Sequence, residues 1–193
     1  MWYQTVPNIQ DGEGWNLKIV ELLKKGGVYG ELYSNFVVDL GCAEGFFLAN
    51  ARDRGAAKVL GFDNNAEMIS RVESWIVRTD QMHYYQRDIE SEKFRNIFTR
   101  RRKFHLIYVL DVLHQLLQPG ELLQLCAMRL SIKHGMIVTN GYVQNEDRKQ
   151  RPGLLKYHFS IQYISKLLLG YGLGEVRDLG EYRPGRHLIV GLR

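Results

Sequence analysis

The sequence predicts an α/β fold in which helices cover both faces of a mostly parallel sheet. Short apolar runs rich in β-branched residues alternate with helical patterns along most of the chain. An alternation of this kind favours parallel strands joined by helical crossovers. Two further β-prone runs, EVRDLGEY and RHLIVGL, flank Arg183-Pro184-Gly185 near the end of the sequence. This arrangement predicts a C-terminal antiparallel hairpin added to the sheet.

The elements that precede the hairpin follow in order. We expect strands at 36–40, 58–63, 82–86, 104–110 and 135–140. We expect helices after Asn16, at 46–54, after Asn64 or Asn65, at about 91–99, from Pro119 to about 131, and from about Ser160. The whole chain, 1–193, is interpreted as one domain, with an N-terminal segment and helix at 1–30 in front of a core at 36–192.

Composition narrows the class of protein. The 193 residues are 45% hydrophobic and 24% charged, which is typical of a globular domain with a sizeable core. No apolar run approaches the roughly 20 residues of a membrane span, and the N-terminus does not resemble a signal peptide. Two cysteines without a CxxC pair indicate reduced thiols and a cytoplasmic protein. The net charge of +5 permits an anionic substrate or RNA and proves neither.

The most informative stretch is FVVDLGCAEGFFLANA, residues 36–51. It combines a buried strand, a turn crowded with Gly41, Ala43 and Gly45, and the start of a helix. Small residues let such a turn bend sharply and let the backbone approach a ligand. The helix that follows presents unpaired N–H groups at its positive end. The spacing G-x-A-x-G differs from the G-x-G-x-x-G of an NAD-dependent oxidoreductase, which leaves that class as an alternative.

Two carboxylates flank this turn. Asp39 lies two residues before Gly41, where it would repel a phosphate and attract an ammonium or sulfonium group. Asp63 ends the next predicted strand, a position that suits a carboxylate accepting both hydroxyls of a ribose. The alternative for Asp63 is a cap of the following helix.

Together these strands resemble the S-adenosylmethionine site of class I methyltransferases. In that family a D-x-G-x-G-x-G turn holds the methionine end of the cofactor, and here Ala43 replaces the middle glycine. The resemblance implies a Rossmann-like, seven-stranded methyltransferase sheet, S-adenosyl-L-methionine as methyl donor and S-adenosyl-L-homocysteine as product. It implies cofactor contacts, with Asp88 and Ile89 at the adenine, from Tyr3, Asp39, Gly41, Cys42, Ala43, Gly45, Asp63, Asn64, Met68, Asp88, Ile89, Leu110 and Asp111.

Within the family, the chain resembles the group related to tRNA wobble-uridine methyltransferases. The similarity lies in DLGCAEGFF, in RGA-KVLGFD and in an entry segment with W-Y-Q-T at 2–5 and Asp11-Gly12. The T-P-G that usually follows the entry segment is missing, so the acceptor of that group is not carried over.

Candidate catalytic residues are histidines. Residues 110–116, LDVLHQL, resemble the V-L-H-H-L segment after strand four of many methyltransferases, which makes His114 the leading general base. His158 and Tyr3 are weaker candidates, and a structural role for His114 is an equally good interpretation. Asp111 is open to a second interpretation as a helix-start acid. The histidines show no paired-ligand spacing, so no metal site is predicted.

Basic clusters bear on the methyl acceptor. Arg100–Lys103 precedes strand four at the edge opposite the cofactor, which favours a solvated loop. A second cluster follows strand five and could attract an anionic group beside Tyr142, Tyr157 and His158, or could be a mobile linker. Its members are Arg148, Lys149, Arg151 and Lys156. We expect O- or N-methylation of a small, possibly anionic acceptor. RNA methylation and a non-catalytic binding protein on the same scaffold remain alternatives, and the oligomeric state stays open.

Overall fold

Seven strands form the central sheet of the protein. The structure is a computed structural model that describes residues 14–33, 35–100, 103–143 and 159–193. The strands are β1 (Phe36–Leu40), β2 (Lys58–Asp63), β3 (Met82–Gln86), β4 (Leu106–Val109), β5 (Met136–Tyr142), β6 (Glu175–Arg183) and β7 (Arg186–Leu192). Their order across the sheet is β3-β2-β1-β4-β5-β7-β6. β1 to β5 pair in parallel, whereas β7 is antiparallel to both β5 and β6. The predicted sheet with its terminal hairpin is confirmed.

Helices cover both faces, also as predicted. They are α1 (Trp15–Lys25), α2 (Phe46–Asp53), α3 (Ala66–Trp75), α4 (Glu92–Arg100), α5 (Pro119–Arg129) and α6 (Ile161–Gly170). One apolar core packs α1, α2 and α3 against the sheet through Ile19, Phe47 and Val72. The other packs α4, α5 and α6 through side chains such as Phe94 and Leu168. Because both faces are buried, the inner strands read as continuous apolar runs.

Helix starts differ from prediction in one case. Asn16 was expected to cap α1, but the N-cap is Gly14 in a left-handed conformation, and Asn16 is fully buried inside the helix. The residues next to an asparagine in the sequence do not reveal whether its side chain caps a helix or is buried inside one. The next helix follows the rule, since the side chain of Asn65 accepts a hydrogen bond from Glu67 N at 2.9 Å.

The strand order determines where a ligand can bind. β1 lies between β2 and β4, so the chain leaves β1 toward one side of the sheet and later returns on the other. Ligands of open α/β sheets bind at the carboxyl ends of the strands where this reversal occurs. Because β6 also runs parallel to β1, its last residue, Arg183, reaches the same edge of the sheet.

Several predictions lie outside the described residues: the entry segment with Tyr3, the basic cluster at 148–156, Tyr157 and His158. Among the helices that the structure describes, none is long and apolar enough to cross a membrane. Both cysteines are buried and reduced. The single-domain assignment and the cytoplasmic location stay predictions.

Candidate functional site

A cleft of about 270 Å³ opens at the carboxyl ends of β1 to β4. Nine of the predicted cofactor residues line it: Asp39, Gly41, Ala43, Asp63, Asn64, Asp88, Ile89, Leu110 and Asp111. The rest of its lining was not predicted and comprises Trp15, Phe47, Arg87, Glu90, Val112, Gln115 and Leu116. Cys42, Gly45 and Met68 are outside the lining. Of the sixteen lining residues, nine were predicted from the sequence and seven were not.

The turn after β1 owes its shape to positive φ angles. Gly41 and Gly45 have φ of 81° and 83°, and Ala43 has φ of 45°. An added Cβ at Gly41 would lie 3.2 Å from Val112 Cβ, inside the cleft wall. Gly45 serves packing instead, because a Cβ there would lie 3.0 Å from Ile76. The turn thus presents backbone to the cleft, as its small residues predicted.

Asp39 is a buried carboxylate with one oxygen that no described residue satisfies. Its side chain lies at the end of β1 and is 2% exposed. Its Oδ2 atom has no hydrogen-bond partner among the described residues. Burial, and secondarily the negative charge of Asp63, raise the pKa of Asp39 to about 8. A buried carboxylate oxygen without a partner is costly, so this atom fits a cationic ligand in the cleft.

Asp63 is held rigidly at the tip of β2. Its Oδ2 accepts a hydrogen bond from Ala43 N at 3.0 Å, and its Oδ1 accepts one from Asn65 N at 2.9 Å. Asp63 thus supports the start of the following helix, and its contact with a ribose stays a prediction. These bonds join the β1 turn to the start of α3 and fix the carboxylate at the cleft wall.

The segment after β3 completes this side of the cleft. Asp88 accepts a hydrogen bond from Glu90 N at 2.8 Å and so forms a local turn, while its contact with the adenine stays a prediction. The Glu90 carboxylate accepts from the backbone N–H groups of Leu117 and Gln118, and so joins this segment to the far wall. Arg87 was missed, although it directly precedes Asp88. Its Nε is buried with no hydrogen-bond partner in the described part of the chain.

Glu44 supports the turn from behind. It is fully buried, and its carboxylate lies 3.1 Å from Arg71 Nη1 of α3. Its backbone carbonyl accepts a hydrogen bond from Trp75 Nε1 at 2.8 Å. From the sequence alone, a glutamate in a glycine-rich turn is expected to be exposed to solvent. The structure shows that it is buried because α3 supplies its partners, Arg71 and Trp75.

Asp111, just after β4, belongs to a different network. It has φ of 53° and is 6% exposed. Its Oδ1 accepts hydrogen bonds from Tyr182 Oη, at 2.9 Å, and from the Arg186 guanidinium. Arg183 Nη1 lies 3.8 Å from Oδ2, an ion pair too long for a hydrogen bond. The backbone N–H of Asp111 donates to Asn140 Oδ1 at 2.8 Å.

Aromatic rings surround this network. The Arg186 guanidinium lies over the Tyr142 ring, 5.2 Å from its centroid. The Arg183 guanidinium lies 6.0 Å from the Trp15 ring, which itself lines the cleft. We call Asp111, Tyr142, Tyr182, Arg183 and Arg186 the arginine side, of which Asp111 is the member that lines the cleft. We call Asp39, Asp63, Asp88 and Glu90 the carboxylate side.

His114 lies in a short 3₁₀ turn, Leu113–Gln115, after β4. It is 5% exposed and faces the Tyr142 ring edge-on, with 6.4 Å between the ring centroids. It is not part of the cleft lining, whereas its neighbour Gln115 is. Its role as a general base stays a prediction. In the described ranges, no three His, Cys, Asp or Glu side chains converge where a metal ion could bind.

Comparison with known proteins identifies the family of this chain. A family model described as a methyltransferase domain matches residues 18–166. A search of curated proteins returns no match.

Solved structures with this fold include several methyltransferases. An S-adenosylmethionine-dependent methyltransferase from Mesorhizobium loti is 20% identical over 90% of this chain and 98% of its own, with a TM-score of 0.66. One from Aquifex aeolicus is 16% identical over 93% of each chain, with a TM-score of 0.62. Human N-acetylserotonin methyltransferase, solved with its methyl donor, is 14% identical over 92% of this chain and 51% of its own, with a TM-score of 0.63. At these identities the likeness establishes the methyltransferase fold.

Proposed function

Because this chain belongs to the methyltransferase domain family, whose model matches residues 18–166, we propose that it methylates an oxygen or nitrogen atom of a small acceptor. S-adenosyl-L-methionine is its methyl donor, and S-adenosyl-L-homocysteine is the product. The similarity to the wobble-uridine group rests partly on residues 2–5 and 11–12, outside the described ranges. The acceptor of that group is therefore not assigned to this protein.

The observation that carries the proposal is the pair of carboxylates at neighbouring strand tips. Asp39 offers a buried oxygen without a partner among the described residues, which would hold the positively charged methionine end of the cofactor by a charge-assisted hydrogen bond. Asp63, fixed by two backbone N–H groups, would accept the ribose hydroxyls. Asp88 and Ile89 would contact the adenine. Gly41 leaves the room that a Cβ would fill.

The protein contributes position more than chemistry. When bound, S-adenosylmethionine supplies an electrophilic methyl group on a cationic sulfur. The residues of the cleft would align the acceptor atom with that methyl group and keep water away. An acceptor hydroxyl needs a base to take its proton, for which His114 stays our candidate. An acceptor that is already an anion needs none.

A small acceptor is supported by the charge of the cleft lining. Among the described residues, the lining contains one basic residue, Arg87, and five acids: Asp39, Asp63, Asp88, Glu90 and Asp111. A chain of phosphates would be repelled by such walls. RNA methylation would instead require RNA binding that weakens as salt is added. The slope of log affinity against log salt concentration would then report the number of phosphate contacts.

Calorimetric titration with S-adenosylhomocysteine tests the proposal. We expect the wild-type protein to bind it, and Asp63→Ala to bind it about 30-fold more weakly, or about 2 kcal/mol, because the ribose hydroxyls lose a charged acceptor. Asp53→Ala is the matched control, since Asp53 is an exposed acid paired with Arg52. Binding of NADH in place of S-adenosylhomocysteine would contradict the proposal, as would equal affinity in both variants.

A further inference from the structure

A second pocket lies at the edge of the sheet opposite the cleft. Its volume is about 550 Å³, and the polar residues of its lining are Asn35, Lys103, His105, Ser131, Lys133 and His134. They come from three segments: the residue before β1, the residues before β4, and the turn between α5 and β5. Because these strands are parallel, the segments meet at the amino ends of the strands. β1 has five residues, so the pocket lies roughly 16 Å from the cleft.

The polar lining of this pocket consists of hydrogen-bond donors. It supplies two ammonium groups, two imidazole rings, a hydroxyl and an amide. Among the residues that the structure describes, the lining includes no Asp or Glu. The cleft is the reverse, since five acids and one base belong to its described lining. The two edges of the sheet therefore suit ligands of opposite charge.

The charged donors of the pocket are largely unused by the protein. Lys133 and His134 make no side-chain hydrogen bond or ion pair with another described residue. Lys103 donates to the backbone carbonyl of Met128, which occupies one of its three ammonium hydrogens. The remaining hydrogens are available to a ligand.

The ring of His105 is fixed in one tautomer. Its Nδ1 accepts a hydrogen bond from Phe36 N at 3.1 Å, so the proton of the neutral ring lies on Nε2. Partial burial lowers the pKa of His105, which favours the neutral form. Since β1 occupies Nδ1, Nε2–H is the donor that this ring offers to a ligand in the pocket that it lines.

Positive charges crowd together at Lys103. The pKa of its ammonium group is lowered, first by partial burial and then by the charges of Arg129 and Arg193. Lys103 and Arg193 both donate to carbonyl groups at the end of α5, where the helix dipole offsets part of their charge. In the described lining no carboxylate offsets the rest. An anion bound in the pocket would do so.

The arrangement of the donors favours a phosphate over a carboxylate. A carboxylate has two oxygens in one plane, which the planar fork of an arginine matches, whereas lysine binds phosphate as a point charge. Here the donors come from three segments, and none of the described lining residues is an arginine. Donors from several directions suit the tetrahedral oxygens of a phosphate.

We propose that this pocket binds the phosphate group of a ligand other than the methyl donor. Such a group belongs either to a small phosphate ester or to a nucleic-acid chain. A small ligand there does not touch the methyl donor, because the length of the strands separates the two sites. The proposal gives Lys103, at the end of the basic run 100–103, a binding role, and it does not rest on the proposed function.

Titration of the purified protein with inorganic phosphate tests the proposal. Ionic strength is matched with chloride, and thermal unfolding and calorimetry are recorded with and without saturating S-adenosylhomocysteine. We expect phosphate to stabilise the wild-type protein saturably. The response should be the same with S-adenosylhomocysteine present, because the two sites lie at opposite edges of the sheet. Acetate should act more weakly than phosphate.

Lys133→Met is the decisive variant. It should weaken phosphate binding about tenfold, because a charge-assisted hydrogen bond is lost. Its fold should be unaffected, since the Lys133 side chain has no hydrogen-bond partner among the described residues. Lys93→Met is the matched control: Lys93 is an exposed lysine of α4, also without a described partner. This control loses the same charge and should respond to phosphate as the wild type does.

Two further measurements locate the phosphate and identify its source. In nitrogen-15 spectra of the histidine rings, phosphate should shift the signals of His105 and His134 and leave that of His114 in place. A single-stranded RNA oligonucleotide is then added. Competition with phosphate that weakens with salt and is reduced in Lys133→Met identifies a nucleic-acid ligand. Phosphate binding without such competition identifies a small phosphate ester.

The proposal is overturned if phosphate does not stabilise the wild-type protein saturably, or if Lys133→Met responds as the wild type does. Loss of the response in the presence of S-adenosylhomocysteine would overturn it too, since the phosphate would then lie in the cleft. An equal loss in Lys93→Met would indicate a general charge effect and have the same consequence. The proposed function is judged separately, by whether the protein binds S-adenosylhomocysteine.

Discussion

The carboxylate side and the arginine side each contain a buried acid, but the two acids differ in the hydrogen bonds that the protein gives them. On the carboxylate side, Asp39 is buried without a hydrogen-bond partner for its Oδ2 among the described residues, and its pKa is raised to about 8. On the arginine side, Asp111 is just as deeply buried but accepts hydrogen bonds from Tyr182 and Arg186. One acid is left for a ligand to satisfy, and the other is satisfied by the protein.

This difference indicates different roles for the two acids. A carboxylate that gains its partner only on binding contributes to ligand affinity, because its desolvation is already complete in the free protein. A carboxylate inside a formed ion network contributes to the position and stability of its neighbours. The resemblance to methyltransferases assigned both acids to the cofactor, and both line the cleft; they differ in how far the protein itself satisfies them, and their contacts with the cofactor stay predictions.

The largest expected effect comes from Asp111→Asn. Removing the charge leaves Arg183, Arg186 and Tyr182 around a neutral amide, and loss of one member of a buried ion network typically costs about 3 kcal/mol. We expect the free energy of unfolding in urea to fall by about that amount. The affinity for S-adenosylhomocysteine should change less than about threefold, since we expect Asp111 to hold the arginines instead of the cofactor.

A large loss of S-adenosylhomocysteine affinity with little change in stability would place Asp111 on the carboxylate side and end the distinction. Asp178→Asn is a suitable control. Asp178 also has a partner on the hairpin, since its carboxylate lies 2.9 Å from a ring nitrogen of His187, but it is exposed, so this substitution should change the free energy of unfolding by well under 1 kcal/mol.

The sequence predicted the carboxylate side better than the arginine side, and the reason is physical. Asp39, Gly41 and Asp63 belong to consecutive strand ends and turns, so local patterns bring them together once the strands are parallel. Asp111 meets Tyr182 and Arg186 across separations of 71 and 75 residues. No local pattern encodes that meeting, and shifts of register in β6 at Asp178/Gly180 and Glu181/Arg183 change which of its side chains lie on the same face as Tyr182.

The same limit explains smaller misses. His114 was correctly placed after β4, but the 3₁₀ turn directs it to Tyr142 and gives Gln115 the position in the cleft lining. Which of two adjacent side chains in a short 3₁₀ turn faces the cleft cannot be predicted from the composition of the turn. Glu44 was passed over for a related reason, because its partner Arg71 lies on another helix.

A second prediction concerns pH and the carboxylate side. With a pKa of about 8 in the free protein, Asp39 is mostly protonated at neutral pH. The ammonium group of S-adenosylhomocysteine would pair with its ionised form, so the affinity for this ligand should rise with pH up to about 8 and level off above it. The slope should approach tenfold, or about 1.4 kcal/mol, per pH unit between about pH 6 and pH 8. Calorimetry across this range measures it.

Asp39→Asn is the control for this titration, and its affinity should be weaker and independent of pH. Stability without ligand should move the other way. A raised pKa means that the folded state holds the proton more tightly, so stability from Asp39 is greatest at acid pH and is lost as pH rises toward about 8. A wild-type affinity that is flat with pH, or one that rises as the pH falls, would show that Asp39 does not meet a cation.

The smallest expected effect tests how the carboxylate side is supported. Arg71 is 18% exposed at its side chain and pairs with the fully buried Glu44 in the turn between Gly41 and Gly45. Arg71→Met should let this turn relax and weaken S-adenosylhomocysteine binding about fivefold, or about 1 kcal/mol. Calorimetry at a fixed pH measures the change, and the double variant Glu44→Gln/Arg71→Met should recover part of the affinity because the buried charge is gone.

The matched control is Arg78→Met, which removes a half-exposed arginine paired with Glu73 close to the same helix. It should bind S-adenosylhomocysteine as the wild type does. Arg71 pairs with Glu44 and Glu67, and neither glutamate belongs to the arginine side. Asp111→Asn should therefore lower the free energy of unfolding by the same amount with and without Arg71→Met. A strongly non-additive double variant would show that the two sides are coupled through the body of the domain, and the separation argued from Asp39 and Asp111 would then be wrong.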